Sequence, residues 1–132
     1  MLSRRFLLAA ALGAGFGSGP VRAAEGVKEE PWSLDGLAGT LAVPRAGGRG
    51  LGVLMIAGSG PTDRDGNGQG LATDLYRKIA LALAAAGHVV LRYDKRGIAG
   101  SRVLARREED LTFGLLQADA RRALLSLKGR PD

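Results

Sequence analysis

The segment from residue 58 to residue 68, GSGPTDRDGNG, holds the residues of this chain best suited to chemistry. It contains four glycines, one proline and three charged side chains, and it directly follows an apolar run, LGVLMIA. Glycines let a backbone approach a ligand closely, carboxylates can bind cations, and a hydroxyl can attack a carbonyl carbon. Four kinds of site are therefore open: a phosphate cradle, a calcium loop, a nucleophilic serine and an oxyanion hole.

Phosphate binding and a nucleophilic serine fit the segment poorly. Gly58 and Gly60 begin a GxGxxG pattern, but Asp63 stands at the third glycine position, and the chain has no GK[ST] sequence. Ser59 lies in the frame AGSGP rather than in the GxSxG of a nucleophile elbow. No helix begins there, so the hydroxyl lacks the strand-to-helix turn that would expose it.

A calcium loop fits the same segment formally. Asp63, Asp65 and Asn67, followed by a glycine, match the first ligand positions of an EF-hand loop. Asp74 matches the acidic residue at the end of such a loop. Against this, a predicted strand rather than a helix precedes the segment, and Arg64 places a positive charge among the ligands. A calcium-binding loop module stays an alternative.

An oxyanion hole fits the segment best. Acyl-transfer enzymes stabilise the negative oxygen of a tetrahedral intermediate with preorganised backbone N–H groups. The small residues at the start of the segment allow such an approach, and Pro61 fixes the turn beyond them. The sequence therefore favours the backbone N–H of Gly60, or that of Ser59, as a donor.

Apolar runs predict the strands that position the segment. WSLDGLAGTLAVP, broken by an Asp-Gly pair, predicts a hairpin of two short strands, and residues 25–31 before it resemble a solvated leader. LGVLMIA (51–57) is typical of a strand buried on both faces, and HVVLRYD (88–94) of a second strand. His88, the single histidine, begins that strand, and we expect a structural role for it.

A helix is predicted after each of these two strands. Thr73 and Gly87 would cap the first helix, and Thr112 and Gly129 the second. The expected apolar faces are Leu75, Tyr76, Ile79, Leu83 and Ala86, and Phe113, Leu116, Ala120, Leu124 and Leu127. This order predicts an α/β fold: an antiparallel hairpin, then parallel strands with helices on the sheet faces. The loops after the parallel strands would meet at one rim, where such sheets bind ligands.

The motifs GSGPTDRDGN and LRYDKRG, with a helix ending in glycine between them, resemble bacterial carboxylesterase-like hydrolases of the α/β-hydrolase fold. The resemblance covers about residues 34–131 and implies a serine hydrolase that acts on a small-molecule ester without a cofactor or a metal. It implies that Gly60, or Ser59, supplies the oxyanion donor from the loop after the third strand. The remaining polar residues would shape the loops: Asp63, Arg64, Asp65, Asn67, Asp94 and Arg96.

Several parts of that family's site are missing from this sequence. The family's Ser, Asp or Glu, and His follow in that order after the fifth strand, whereas no serine here lies in GxSxG. We expect residues 24–132 to be the N-terminal portion of the domain, truncated before the nucleophile elbow and inactive alone. Relatives often have GIGxS where this chain has GIAGS, so Ala99 would cost about 1 kcal/mol if its φ is positive. A non-catalytic interaction fragment stays a further alternative.

The N-terminus and the composition bear on location and partners. Residues 1–23 combine Arg4 and Arg5 with an apolar stretch and small residues, as in a twin-arginine-like signal peptide. The expected location is periplasmic or secreted, with no stable membrane span after signal removal. Without the three arginines of that segment the net charge falls from +6 to +3, so the basic composition says little about nucleic acid. The remaining basic residues are spread along the chain and aromatic residues are few, so we expect no nucleic-acid partner. With no cysteine and one histidine, disulfides, thiolate zinc sites and multi-histidine sites are excluded.

Overall fold

A computed structural model describes residues 25–130 and shows a mixed four-stranded sheet with helices, which confirms the predicted α/β class. The strands are β1 (Val27–Leu34), β2 (Leu37–Pro44), β3 (Gly52–Ile56) and β4 (Val89–Tyr93). The helices are α1 (Leu75–Ala85) and α2 (Phe113–Lys128), and two short 3-10 helices, Ala99–Leu104 and Glu108–Asp110, lie between β4 and α2. The predicted signal peptide, residues 1–23, lies outside the described residues.

The sheet order is β1-β2-β4-β3. β1 pairs with β2 and β2 with β4 in antiparallel fashion, whereas β3 and β4 are parallel. The predicted hairpin is present, and its turn has positive φ at both Asp35 (47°) and Gly36 (86°), as in a type I′ turn. The prediction of a solvated leader over residues 25–31 is wrong, because Val27 is 1% exposed and pairs with Pro44.

One helix packs on each face of the sheet. In β4, alternate side chains point to opposite faces, so Leu91 joins the core beneath α2 and Val90 the core beneath α1. The first core contains Leu37, Leu41, Val43, Val89, Leu91, Tyr93, Ala123 and Leu127. The second contains Val27, Ala42, Ala80, Leu81, Ala84 and Val90. Two helix-covered faces leave the carboxyl ends of β3 and β4 as the open rim.

β3 is less buried than its sequence predicts. Within the described residues β4 is its only neighbouring strand, so β3 forms an edge of the sheet. Val53, Leu54 and Met55 are half-buried, and Ile56 is 54% exposed. Burial on both faces needs neighbours on both sides as well as covering helices, and the prediction is wrong for this chain.

The buried faces of the two helices match the predicted ones only in part, and Leu127 of α2 is buried as predicted. α1 buries Ala80, Leu81 and Ala84, and the two small alanines let the helix lie close to the sheet, while the side chain of Ile79 is 41% exposed. α2 buries Asp119, Ala123 and Leu127, and its Phe113 is 80% exposed. In the described part of the chain, neither helix is long and apolar enough to cross a membrane.

The helix ends follow the predicted capping residues more closely. Thr112 caps α2, since its hydroxyl accepts the Leu115 N–H at 3.3 Å, and Gly129 ends that helix. Gly87, with a φ of 100°, follows the end of α1. At the start of α1 the cap position is Asp74 rather than Thr73.

Candidate functional site

The loops after β3 and β4 meet at one rim of the sheet. Because β3 and β4 are parallel, Ile56 at the end of one strand pairs with Tyr93 at the end of the other. The loops 58–71 and 94–107 therefore leave the sheet side by side, as predicted from the strand order. Side chains of the loops themselves, of β4 and of α2 hold the two loops in place.

Asp63 folds the first loop back on itself. Its Oδ1 accepts the backbone N–H of Asp65 at 2.9 Å and that of Asn67 at 2.8 Å. The Asn67 side chain donates to Asp74 Oδ1 at 2.7 Å and accepts the Asp74 N–H at 3.0 Å. These bonds satisfy backbone groups that a long loop would otherwise leave unpaired, so they fix the path of the chain.

The carboxylates of the calcium alternative do not converge on a common point. Asp63 accepts backbone N–H groups, Asp65 accepts from Arg92, and Asp74 accepts from Asn67. In the part of the chain that the structure describes, no group of three or more His, Cys, Asp or Glu side chains could hold a metal ion. The geometry therefore gives the calcium alternative no ligand cluster.

Asp94 joins the second loop to the first. Its carboxylate, which is almost fully buried, accepts the Arg64 N–H at 2.8 Å, Arg64 Nη1 at 3.1 Å and the Gly100 N–H at 3.0 Å. The buried hydroxyl of Ser101 donates to the Asp94 carbonyl at 2.7 Å and accepts the Ala38 N–H at 2.9 Å. Each Asp94 oxygen thus has a donor, which offsets the cost of burying the group.

Asp65 is tied to the sheet through Arg92. This arginine is 2% exposed, and its Nε donates to Asp65 Oδ1 at 2.7 Å while its Nη2 donates to Glu29. Burial would raise the pKa of Glu29, but hydrogen bonds from Arg77 and Arg92 outweigh burial and lower that pKa below its ordinary value of 4.5. The backbone carbonyl of Asp65 accepts the Tyr76 N–H at 3.1 Å, so the loop also caps α1.

Arg96 ties the second loop to α2. Its Nε and Nη2 donate to the two carboxylate oxygens of Asp119, at 2.5 Å and 2.9 Å. Arg122 adds a further bond to Asp119 at 2.8 Å, and the Asp119 side chain is 1% exposed. The hydrogen bond to Asp119 raises the pKa of Arg96. A bidentate pair of this kind fixes orientation as well as distance, so α2 and the loop keep one relative position.

The tip of the first loop presents two backbone N–H groups, those of Ser59 and Gly60. Gly60 has a φ of 88°, and open space lies where a Cβ would stand. Among the residues that the structure describes, no acceptor binds the N–H of Ser59 or that of Gly60. Lys95 lies behind this tip, and its Nζ donates to the carbonyl oxygens of Gly58 and Gly60, the latter at 3.1 Å. Free N–H groups on a fixed turn are what oxyanion binding requires.

Two clefts share Ser59 and Lys95 in their walls. The larger, of about 550 Å³, contains Gly60 and is bordered by basic side chains. The smaller, of about 390 Å³, is mostly apolar, with Ile56 and Phe113 in its walls. The loop tip thus lies between a cleft with basic side chains and a mostly apolar cleft. This arrangement suits a ligand with one polar centre and an apolar group.

Two residues singled out in the sequence have separate local roles. Ala99 has a φ of 39°, so this position does adopt the left-handed conformation that favours glycine. His88 lies at the opposite end of the sheet from the rim, where its Nδ1 accepts the Leu51 N–H at 3.0 Å. That bond ties the start of β4 to the start of β3 and agrees with a structural role.

A stretch of 73 residues is 33% identical to part of the esterase EstD of Thermotoga maritima. The match covers 54% of this chain and 17% of that esterase, so the chain spans well under two thirds of its relative. No protein-family model matches the chain. The similarity supports an esterase-like relationship.

Sequence reasoning missed the residues that reach the loops from elsewhere in the chain. Lys95 was visible between Asp94 and Arg96 in LRYDKRG, but nothing local shows that its side chain crosses to the first loop. Arg92 gave a clearer signal, because a charge within the strand run HVVLRYD must find a partner when it is buried. Its partner Glu29 lies 63 residues away, in a segment predicted to be solvated.

Proposed function

We propose that this chain forms the oxyanion-binding part of an esterase-type serine hydrolase of the α/β-hydrolase fold. The observation that carries the proposal is the pair of N–H groups of Ser59 and Gly60, which have no acceptor within residues 25–130 and lie at the rim of the sheet, beside two clefts. The loop follows the third strand, where α/β-hydrolases place one oxyanion donor. The partial similarity to EstD supports the same chemistry.

The proposed reaction places a negative charge next to these donors. A serine hydroxyl attacks the ester carbonyl carbon while a base removes its proton, and the carbonyl oxygen becomes an oxyanion. The N–H groups of Ser59 and Gly60 would donate to this oxyanion, which carries more charge than the ester oxygen and is therefore bound more strongly. Collapse of the intermediate expels the alcohol, and water then releases the acyl group as a carboxylic acid.

The nucleophile, the acid and the histidine of the reaction are proposed for the complete protein. The serines of this chain lie at positions 3, 18, 33, 59, 101 and 126, and none is in GxSxG. We propose that a serine, an acid and a histidine come from further strands added beside β3, whose outer edge has no partner among the described strands. The export signal over residues 1–23 stays part of the proposal, and the mature N-terminus of secreted protein would test it.

An amide-to-ester replacement tests the oxyanion donor directly. Replacing Gly60 by glycolic acid removes its N–H and leaves the side chain and the loop length unchanged. In the full-length protein we expect kcat for a p-nitrophenyl ester to fall by about 100- to 1000-fold with little change in KM, since the lost bond forms mainly in the transition state. The same replacement at Gly70, an exposed loop glycine with a φ of 71°, is the matched control.

Two results would contradict the proposed function. One is an unchanged kcat after replacement at Gly60, with the Gly70 control also unchanged. The other is turnover of p-nitrophenyl acetate by residues 24–132 alone, with labelling of one of their serines by a fluorophosphonate. We expect neither, because without a nucleophile only binding effects remain.

A further inference from the structure

Lys95 makes an uncommon set of contacts for a lysine at the rim. Its ammonium donates to the carbonyl oxygens of Gly58 and Gly60, and these two residues flank Ser59. The side chains on either side of it are engaged elsewhere, Asp94 with Arg64 and Arg96 with Asp119. In the described part of the chain no carboxylate pairs with Lys95, so its bonding capacity is directed at the loop backbone.

These two bonds determine where the loop N–H groups point. A trans peptide is planar, and its N–H points away from its C=O. When Lys95 holds the Gly58 carbonyl, the N–H of Ser59 in the same peptide plane must point to the opposite side. The Gly60 carbonyl belongs to the peptide with Pro61, which has no N–H, so holding it fixes the far end of the turn. The N–H of Gly60 belongs to the Ser59–Gly60 peptide, which lies between the two peptides that Lys95 holds.

The position of Lys95 suits this task. It lies two residues after the end of β4, whose five residues are all buried, so the sheet rather than the loop fixes the start of its backbone. Partial burial of the ammonium lowers the pKa of Lys95. The lysine also lines both clefts beside the tip.

We propose that Lys95 is a positioning residue that holds the N–H groups of Ser59 and Gly60 towards the clefts through the Gly58 and Gly60 carbonyls. Its role in catalysis rests on the proposed esterase function, whereas its hold on the loop does not. Lys95→Met keeps the length of the side chain but cannot donate. Lys95→Arg keeps several donors and the charge, and it should restore part of the effect.

Two measurements separate the hold on the loop from catalysis. Nuclear magnetic resonance on the full-length protein, with labelled lysine nitrogen and glycine carbonyl carbon, should show a hydrogen-bond coupling between Lys95 Nζ and the Gly58 carbonyl. In Lys95→Met the Ser59 and Gly60 amide resonances should shift. For esterase activity, Lys95→Met should lower kcat by about tenfold to 100-fold with KM nearly constant, because misplaced donors mainly affect the transition state. Lys78→Met, on the exposed face of α1, is the control.

Each outcome decides the proposal. Absence of the coupling in the wild-type protein overturns it, even if Lys95→Met does not fold. Unchanged Ser59 and Gly60 resonances in a folded Lys95→Met variant also overturn it. A wild-type protein without esterase activity would refute the proposed function, while the coupling and the resonance shifts would still decide whether Lys95 orients the loop. Both proposals are supported if kcat falls in Lys95→Met, recovers in part in Lys95→Arg and stays at the wild-type value in Lys78→Met.

Discussion

Asp94 binds Arg64 through both the backbone and the side chain of the arginine. Asp94 Oδ1 accepts the Arg64 N–H at 2.8 Å, and Asp94 Oδ2 accepts Arg64 Nη1 at 3.1 Å. The carboxylate stands at the end of β4 and the arginine lies within the loop that follows β3. One buried side chain therefore sets the distance between the two loops of the candidate site.

Asp94→Asn is expected to destabilise the protein by about 2 kcal/mol, because hydrogen bonds to a charged group are lost or weakened and the amide brings N–H donors next to existing donors. Urea denaturation of both proteins would measure the difference. The matched control is Asp110→Asn, at an exposed position where Arg107 lies at 3.3 Å, and it should change stability by less than about 0.5 kcal/mol. Equal effects of the two substitutions would contradict the anchoring role of Asp94.

Ala99→Gly is expected to stabilise the protein by about 1 kcal/mol. Ala99 has a φ of 39°, where a Cβ is strained and glycine is not. Thermal unfolding would show the gain as a higher midpoint. Ala82→Gly, at an exposed position within α1, should do the reverse and cost about 1 kcal/mol. A loss of stability in Ala99→Gly would show that the conformation at 99 carries no strain.

Asp63→Ala is expected to destabilise the protein by about 1 to 3 kcal/mol, with calcium making no difference. The substitution leaves the N–H groups of Asp65 and Asn67 without their acceptor. Asp63→Asn retains an oxygen acceptor and should cost less. Melting temperatures with calcium and with a chelator check the prediction. A calcium-dependent rise that Asp63→Ala abolishes would restore the calcium-loop alternative.

Glu29 should make stability depend on acid pH. Its pKa in the folded protein is lowered below 4.5, because bonds from Arg77 and Arg92 outweigh the effect of burial. The stabilisation is therefore fully present above the unfolded pKa and is lost as the pH falls through the folded pKa. Urea denaturation at several pH values should show a steeper acid loss for the wild-type protein than for Glu29→Gln. Glu108→Gln, on the surface, should keep the wild-type slope.

The sequence predicts the elements well because their signals are local. The Asp-Gly turn of the hairpin, the Thr112 cap and the glycine after α1 each depend on a few neighbouring residues. Burial depends on distant neighbours, and this explains the errors. The apolar sequence of β3 does not indicate that, among the described strands, β4 alone pairs with it. The spacing of apolar residues in α1 does not indicate that Ala80 and Ala84 are among the residues buried against the sheet.

In the candidate site too, features set by local sequence could be predicted, whereas contacts between distant residues could not. Gly60 and Ser59 could be singled out from small residue size and position after a strand, and the structure leaves both N–H groups without an acceptor in the described region. The partners of the loop could not be found from sequence, because Arg92 and Lys95 reach across 27 and 37 residues to Asp65 and Gly58. Such pairs depend on strand order and side-chain length together.

The attachment of Lys95 to main-chain carbonyls has a consequence for protein engineering. Carbonyl oxygens at positions 58 and 60 exist whatever side chain stands between them, so Ser59 can be varied to reshape the clefts without cutting the bonds that hold the turn. The loop itself cannot be transplanted alone, since Asp94 and Lys95 come from the turn after β4 and Arg92 from the strand. A graft onto another scaffold would have to carry both segments as one module.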